Sequence, residues 1–145
     1  MRFLLYTRSE QIAEALLNLL DLSAGGGVLV HCRAGKDRTG LLAALLLANA
    51  GVEAEAIALD HARSRLNLEP LFAYWATRAR SEEERALASM RTFVPTRESM
   101  LVTLAGLKAR HGGAAGYLRD AGLTADEVAA LRLLLVQPVS PERAA

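Results

Sequence analysis

The chain is short of aromatic residues, at 5% of its 145 positions, and it carries a single tryptophan and a single cysteine. One cysteine, Cys32, excludes an internal disulfide and any metal site built from several thiolates. It fits a reducing, cytoplasmic setting, with secretion by a non-classical bacterial route as the alternative. Long apolar runs are missing as well. The longest, residues 41–48, is too short to span a bilayer, and the apolar residues after Arg2 are too few for a signal peptide. Nor does one sign of charge dominate: 17 Lys and Arg against 16 Asp and Glu leave a formal charge of +1. No global field draws the protein to nucleic acid or to a membrane surface, so any preference for anions has to be local. The chain has no internal repeat and no low-complexity segment beyond its alanine richness.

What is present favours helix. Apolar residues make up 52% and charged residues 23% of the chain, and Ala and Leu lead the apolar set. A chain of this length buries about 70% of its unfolded surface in one domain. We place that domain at residues 1–137, with 138–145 as a tail opened by Pro138 and Pro141. Residues 1–22 read as an amphipathic helix carrying Ile12, Leu16, Leu17, Leu19 and Leu20, with Ser9 as N-cap and an extended start at 3–6. Three glycines at 25–27 break it and feed an apolar strand at 28–31, the one confident strand of the chain. A helix over 39–50 ends at Asn49 and Gly51, and another over 53–66 turns Ala56, Ile57, Leu59 and Ala62 inward. Pro70 suits the first turn of a separate helix running to 79, whose Phe72, Tyr74 and Trp75 read as core. Ser81 opens a short helix to 90, and Pro95-Thr96 starts one ending at His111, where a cation suits the helix dipole. A brief helix spans 114–120, and Thr124 with Glu127 has capping-box spacing before a last helix to 136.

The stretch Val28-Leu29-Val30-His31-Cys32-Arg33-Ala34-Gly35-Lys36-Asp37-Arg38-Thr39-Gly40 organises the rest. Strand, tight loop and helix start aim successive backbone N–H groups and a positive helix end into one small cup, which suits an anion. Cys32 opens the loop and Arg38 closes it. A thiol that is ordinarily protonated becomes a thiolate nucleophile at a helix N-terminus or beside cations. The Arg38 fork matches two phosphate oxygens in a way that lysine cannot copy. Gly35 permits a backbone turn or a close ligand approach that a Cβ would obstruct. Thr39 can reach back to the sulfur and stabilise it as a leaving group, and His31 orients the loop through hydrogen bonds. A thiolate facing a guanidinium across a ring of backbone donors is chemistry for a phosphate ester.

The string His31-Cys32-Arg33-Ala34-Gly35-Lys36-Asp37-Arg38-Thr39-Gly40 resembles the phosphate-binding loop of the protein tyrosine phosphatase superfamily. Its Ala-Gly-Lys-Asp-Arg-Thr-Gly portion is most similar to the bacterial and fungal tyrosine/phosphoinositide phosphatase group. Weaker similarity runs on through the Leu/Ala helix, Gly51-Val52, the segment 60–64, Glu98-Ser99-Met100, Gly112-Gly113 and Tyr117-Leu118. The resemblance implies an α/β fold, mostly helical here. Strands should be few, because the N-terminal part that supplies most of the family's parallel sheet is largely absent, with only 31 residues ahead of Cys32. A preceding segment or a second copy of the chain would complete the sheet, or a helical packing would hide the strand edges.

The resemblance also implies a site. Cys32 attacks phosphorus, Arg38 and the loop N–H groups stabilise the equatorial oxygens, and Thr39 assists hydrolysis of the phospho-cysteine. Arg33, Ala34, Gly35, Lys36 and Asp37 complete the substrate-binding loop, which would also hold inorganic phosphate or sulfate. Neither metal nor cofactor is called for. Asp37 either orders the loop or supplies the proton for the leaving group, since the family's usual acid lies upstream of the loop. Lys36 is either a solvated charge or a second cation that favours multiply phosphorylated substrates. Asp60, with its neighbour His61, reads first as surface or capping and second as support for the site. Residues 66–94 are a candidate helical lid. The run Arg78, Arg80, Arg85, Arg91 and Arg97 reads as a solvated face paired with Glu82, Glu83 and Glu84. Expected partners are a phosphorylated protein or a phosphoinositide. The competing readings are a phosphate-binding module with little turnover and, more remotely, a rhodanese-like sulfurtransferase or an arsenate reductase.

Overall fold

Leucine and alanine at helical spacing produce helices throughout the computed structural model, which describes residues 2–85 and 95–136. Helices α1 (Arg2–Thr7) and α2 (Ser9–Ser23) precede the loop, and α3 (Asp37–Ala50) leaves it. Then come α4 (Ala54–Arg78), α5 (Arg97–His111), α6 (Ala114–Asp120) and α7 (Ala125–Leu133). Helix α3 is central: it packs on α4, α6 and α7, while α5 lies against α4 and α6, and α2 against α7. Its Leu41, Ala44 and Leu45 form the buried stripe that meets these neighbours. Leu5, Leu16, Met100, Leu107, Leu118 and Leu131 fill the space around them.

Two polar side chains inside this core tie helices together. The Asn49 side-chain amide donates to the Val128 carbonyl at 2.9 Å, tying α3 to α7. The Tyr117 hydroxyl donates to the Leu5 carbonyl at 2.7 Å and anchors α1 on α6. Burial, and then the neighbouring Tyr6, push the Tyr117 phenol up to about 12, so it stays a donor across the working range. At the end of α3 the Gly51 and Val52 amides turn back to the Ala48 and Leu47 carbonyls, a Schellman closure. Thr124 and Glu127 form the expected capping box, and Thr96 caps α5 by accepting from the Ser99 amide.

Several expectations change. The strand at 28–31 does not form: residues 27–32 have no regular secondary structure, and no strand occurs among the described residues. A strand is held by ladder bonds to a neighbour, and no extended neighbour is present among these residues to supply them. Leu29 is accordingly 86% exposed. What the structure shows of the α/β expectation is therefore its helical part. The extended start at 3–6 is helical instead, and the residue before α2 is Arg8, not Ser9, with no side-chain cap.

Helix α4 runs unbroken through Pro70. Proline has no N–H for the Leu66 carbonyl, but both residues face solvent, where water can serve that carbonyl. The inward face of α4 is Ile57, Ala58, His61, Leu68 and Phe72, so Ala56 and Leu59 point outward. Of the three aromatic residues read as core, only Phe72 is buried, and Tyr74 is half exposed. The arginine face is also paired differently: Arg97 binds Glu55 on α4 through two bonds of 2.6 and 2.7 Å, and Arg78 lies over the Tyr74 ring. Arg91, most of the helix from Ser81 and the tail at 138–145 lie outside the described residues, as does the lid candidate over 86–94.

Because Leu45 is fully buried where α3 meets its neighbours, Leu45→Ala should lower stability by about 2–5 kcal/mol in urea unfolding.

Candidate active site

The loop between α2 and α3 is shaped by the helix that follows it. After Cys32, residues 33–36 bend sharply, Gly35 takes the left-handed conformation (φ 68°), and α3 begins at Asp37. This turn aims the N–H groups of Ala34, Gly35 and Thr39 at the Cys32 sulfur. Partial burial pushes the thiol pKa up. The Thr39 hydroxyl and the three N–H groups outweigh that, lowering the value from 9.0 to about 7. At neutral pH a large share of Cys32 is therefore thiolate. The Thr39 Oγ1 atom is itself buried and meets no other hydrogen-bond partner, which leaves the Cys32 sulfur as its acceptor.

The charged side chains of the loop are less simply placed. Lys36 is buried, and its ammonium pairs with the Asp37 carboxylate at 2.8 Å. The solvated-charge reading of Lys36 is thus replaced by a buried ammonium paired with a carboxylate that remains exposed. An acid role for Asp37 requires that contact to open. Arg33 stands over the Trp75 ring, 5.9 Å from its centroid, which ties the loop to the second half of α4. His31 Nδ1, when protonated, donates to the Cys32 carbonyl at 3.4 Å. Arg38 lies on the other side of the first turn of α3. Its side chain lines an apolar cavity of about 520 Å³ with Leu4, Arg8, Ile12 and Leu41, which does not include Cys32.

Behind the loop, α4 supplies a group that the sequence reading set aside. His61 is 5% exposed, and its ring packs against the first turn of α3 so closely that a β-carbon on Gly40 would stand 2.7 Å from its Nδ1. Burial holds the imidazole pKa below its ordinary value, against the attraction of Asp37 and Asp60. Asp60, His61 and Ser64 share a cleft of about 180 Å³ with Gly35, Thr39 and Gly40. Asp60 thus does sit beside the loop, although it is exposed. The signal for His61 is the recurrence of positions 57, 61, 68 and 72 on one face of a long helix, which an inner face of Ala56, Ile57, Leu59 and Ala62 in a helix ending at 66 conceals.

A family model described as tyrosine phosphatase family matches residues 1–137. The chain belongs to the tyrosine phosphatase family. It is similar to the triple specificity protein phosphatase PtpB of Mycobacterium tuberculosis, with 32% identity over 126 residues, or 79% of this chain and 46% of that protein. It is also similar to a tyrosine-protein phosphatase of Nostoc commune, with 34% identity over 124 residues, or 77% of this chain and 40% of the relative. The chain therefore matches less than half the length of these two tyrosine phosphatase relatives. No solved structure matches it.

For this tyrosine phosphatase family member, two expectations follow from the geometry. Gly40→Ala should cost about 1–3 kcal/mol in thermal unfolding, and His61→Ala in the same chain should return part of that loss. Alkylation of Cys32 by iodoacetamide should rise with pH through a midpoint near 7, because the thiolate is the reactive form. Thr39→Val should move that midpoint upward by removing the hydroxyl that favours the charge.

Proposed function

We propose that this protein is a cysteine-dependent phosphatase acting on phosphate monoesters, with phosphotyrosine as the first candidate substrate and phosphoserine and phosphoinositides within reach of the same loop. The observation that carries the reading is the Cys32 thiol, brought to about 7 by converging donors at the start of α3. The family membership and the names of the two relatives support it. The complete α/β domain belongs to the same reading, with residues 28–31 as the segment that would enter a sheet.

In the proposed reaction, phosphate enters the ring of N–H groups and the Cys32 sulfur attacks phosphorus in line with the leaving oxygen. A bond forms from sulfur to phosphorus as the bond to the leaving oxygen breaks. Asp37, released from Lys36 and protonated from solvent, gives that oxygen its proton, and the carboxylate left behind takes the proton of the water that attacks next. Arg38 turns from its cavity to the equatorial oxygens, which is a movement of one flexible, unpaired side chain. Water then attacks the phospho-cysteine and returns the thiolate with inorganic phosphate, while Thr39 stabilises the departing sulfur. Arg33 and Lys36 add cationic character around the loop, and His31 and Asp60 support its shape.

A second reading, a phosphate-binding module with little turnover, draws support from the Lys36–Asp37 ion pair and from the placement of Arg38 outside the loop. Turnover of p-nitrophenyl phosphate separates the two. The phosphatase should hydrolyse it, lose the activity in Cys32→Ser, and lose phosphate-dependent thermal stabilisation as well in Arg38→Ala. Stabilisation by phosphate without turnover would favour the module, and full activity in Cys32→Ser would overturn the thiolate mechanism.

A further inference from the structure

The cavity beside Arg38 has a chemistry of its own. Leu4 of α1, Ile12 and Ala15 of α2, and Leu41 and Leu42 of α3 give it apolar walls, and Arg8 and Arg38 supply its charge. Its volume of about 520 Å³ lies within the range that holds small organic ligands. Several other arginines of this protein find partners, though Arg63 and Arg119 do not among the described residues: Arg97 pairs with Glu55, Arg65 with Glu69, and Arg78 and Arg110 lie over tyrosine rings. Among the described residues Arg8 and Arg38 have no ion pair and no side-chain hydrogen bond. Two unpaired guanidiniums on one apolar cavity call for a ligand with an anionic head and an apolar body.

We propose that this cavity binds a single-chain amphipathic anion, a carboxylate or phosphate on an alkyl tail. The head sits between Arg8 and Arg38, whose planar forks match either group. The tail lies on Leu4, Ile12, Leu41 and Leu42, where each methylene removed from water strengthens binding roughly fourfold. Binding of this ligand does not depend on the phosphatase reading. Its consequence does: the guanidinium that clamps the ligand is the one the loop needs for phosphate. One side chain cannot serve both anions, so ligand in the cavity and phosphate in the loop weaken each other by the same factor.

Calorimetric titration of the full chain with decanoate and with decyl phosphate, below their micelle concentrations, tests the site. Decyltrimethylammonium serves as the cationic control. Saturable one-to-one binding of the anions is expected, at least tenfold weaker for the cation and for Arg8→Ala. Ala15→Phe, which fills the cavity from α2 and keeps both charges, should also weaken it. Unchanged thermal melting confirms that each variant is folded. Absence of saturable binding, or binding indifferent to both substitutions, overturns the site. For the competition, decanoate should raise the KM for p-nitrophenyl phosphate severalfold in the native chain and have no such effect in Arg8→Ala. Turnover with no decanoate binding removes the site and leaves the phosphatase. Binding with no turnover leaves the site and removes both the phosphatase and the competition.

Discussion

Helix α3 carries two demands that pull on the same few residues. Its stripe of Leu41, Ala44 and Leu45 must be buried among α4, α6 and α7, while its first turn must keep N–H groups open toward Cys32. The first turn is therefore fixed from behind. His61 of α4 presses on it at Gly40, where no side chain larger than hydrogen fits without a shift. The same packing that buries the helix sets the direction of the donors, and through them the charge state of the thiol.

Much of this could be read from the residues, and the failures have a common cause. The loop, the helix after it, the Gly51 stop and the Thr124 capping box all depend on neighbours within a few positions, and they lie where the sequence places them. The strand at 28–31 depends on a partner elsewhere, and without one among the described residues it does not form. The break at Pro70 was a local inference that tertiary packing overrode. Leu68 and Phe72 on the buried face keep the helix continuous past a residue whose missing hydrogen bond falls on the solvent side. The side-chain positions of Lys36 and Arg38 were not legible either, because a flexible cation goes to whichever partner or surface the fold offers.

Those two cations set the electrostatic character of the loop. Lys36 is buried and answered by Asp37, so removing the carboxylate would leave an uncompensated charge behind the loop, a costly arrangement. Arg38 is exposed and unanswered, so moving it costs little beyond its own rotamer freedom. The loop thus combines a fixed positive charge with a movable one. Backbone donors, which cost no reorganisation, stabilise the sulfur before any substrate arrives.

Support for the loop comes from its helical side: α3 within it, His61 behind it and Trp75 beside it. That support is sufficient to bring the backbone N–H groups of Thr39, Ala34 and Gly35 onto Cys32, since these depend on backbone direction alone, and the Thr39 hydroxyl joins them from the same turn. It is not sufficient to fix Arg38, whose direction depends on what stands on the far side of α3. There the wall is formed by Leu4, Arg8 and Ile12, and among the described residues it offers no carboxylate to hold a guanidinium in either position. An anion is then the strongest attraction available to Arg38, and its location decides which way the side chain turns. On the two readings proposed above, phosphate in the loop would draw the guanidinium toward Cys32, and an anion in the cavity would hold it away.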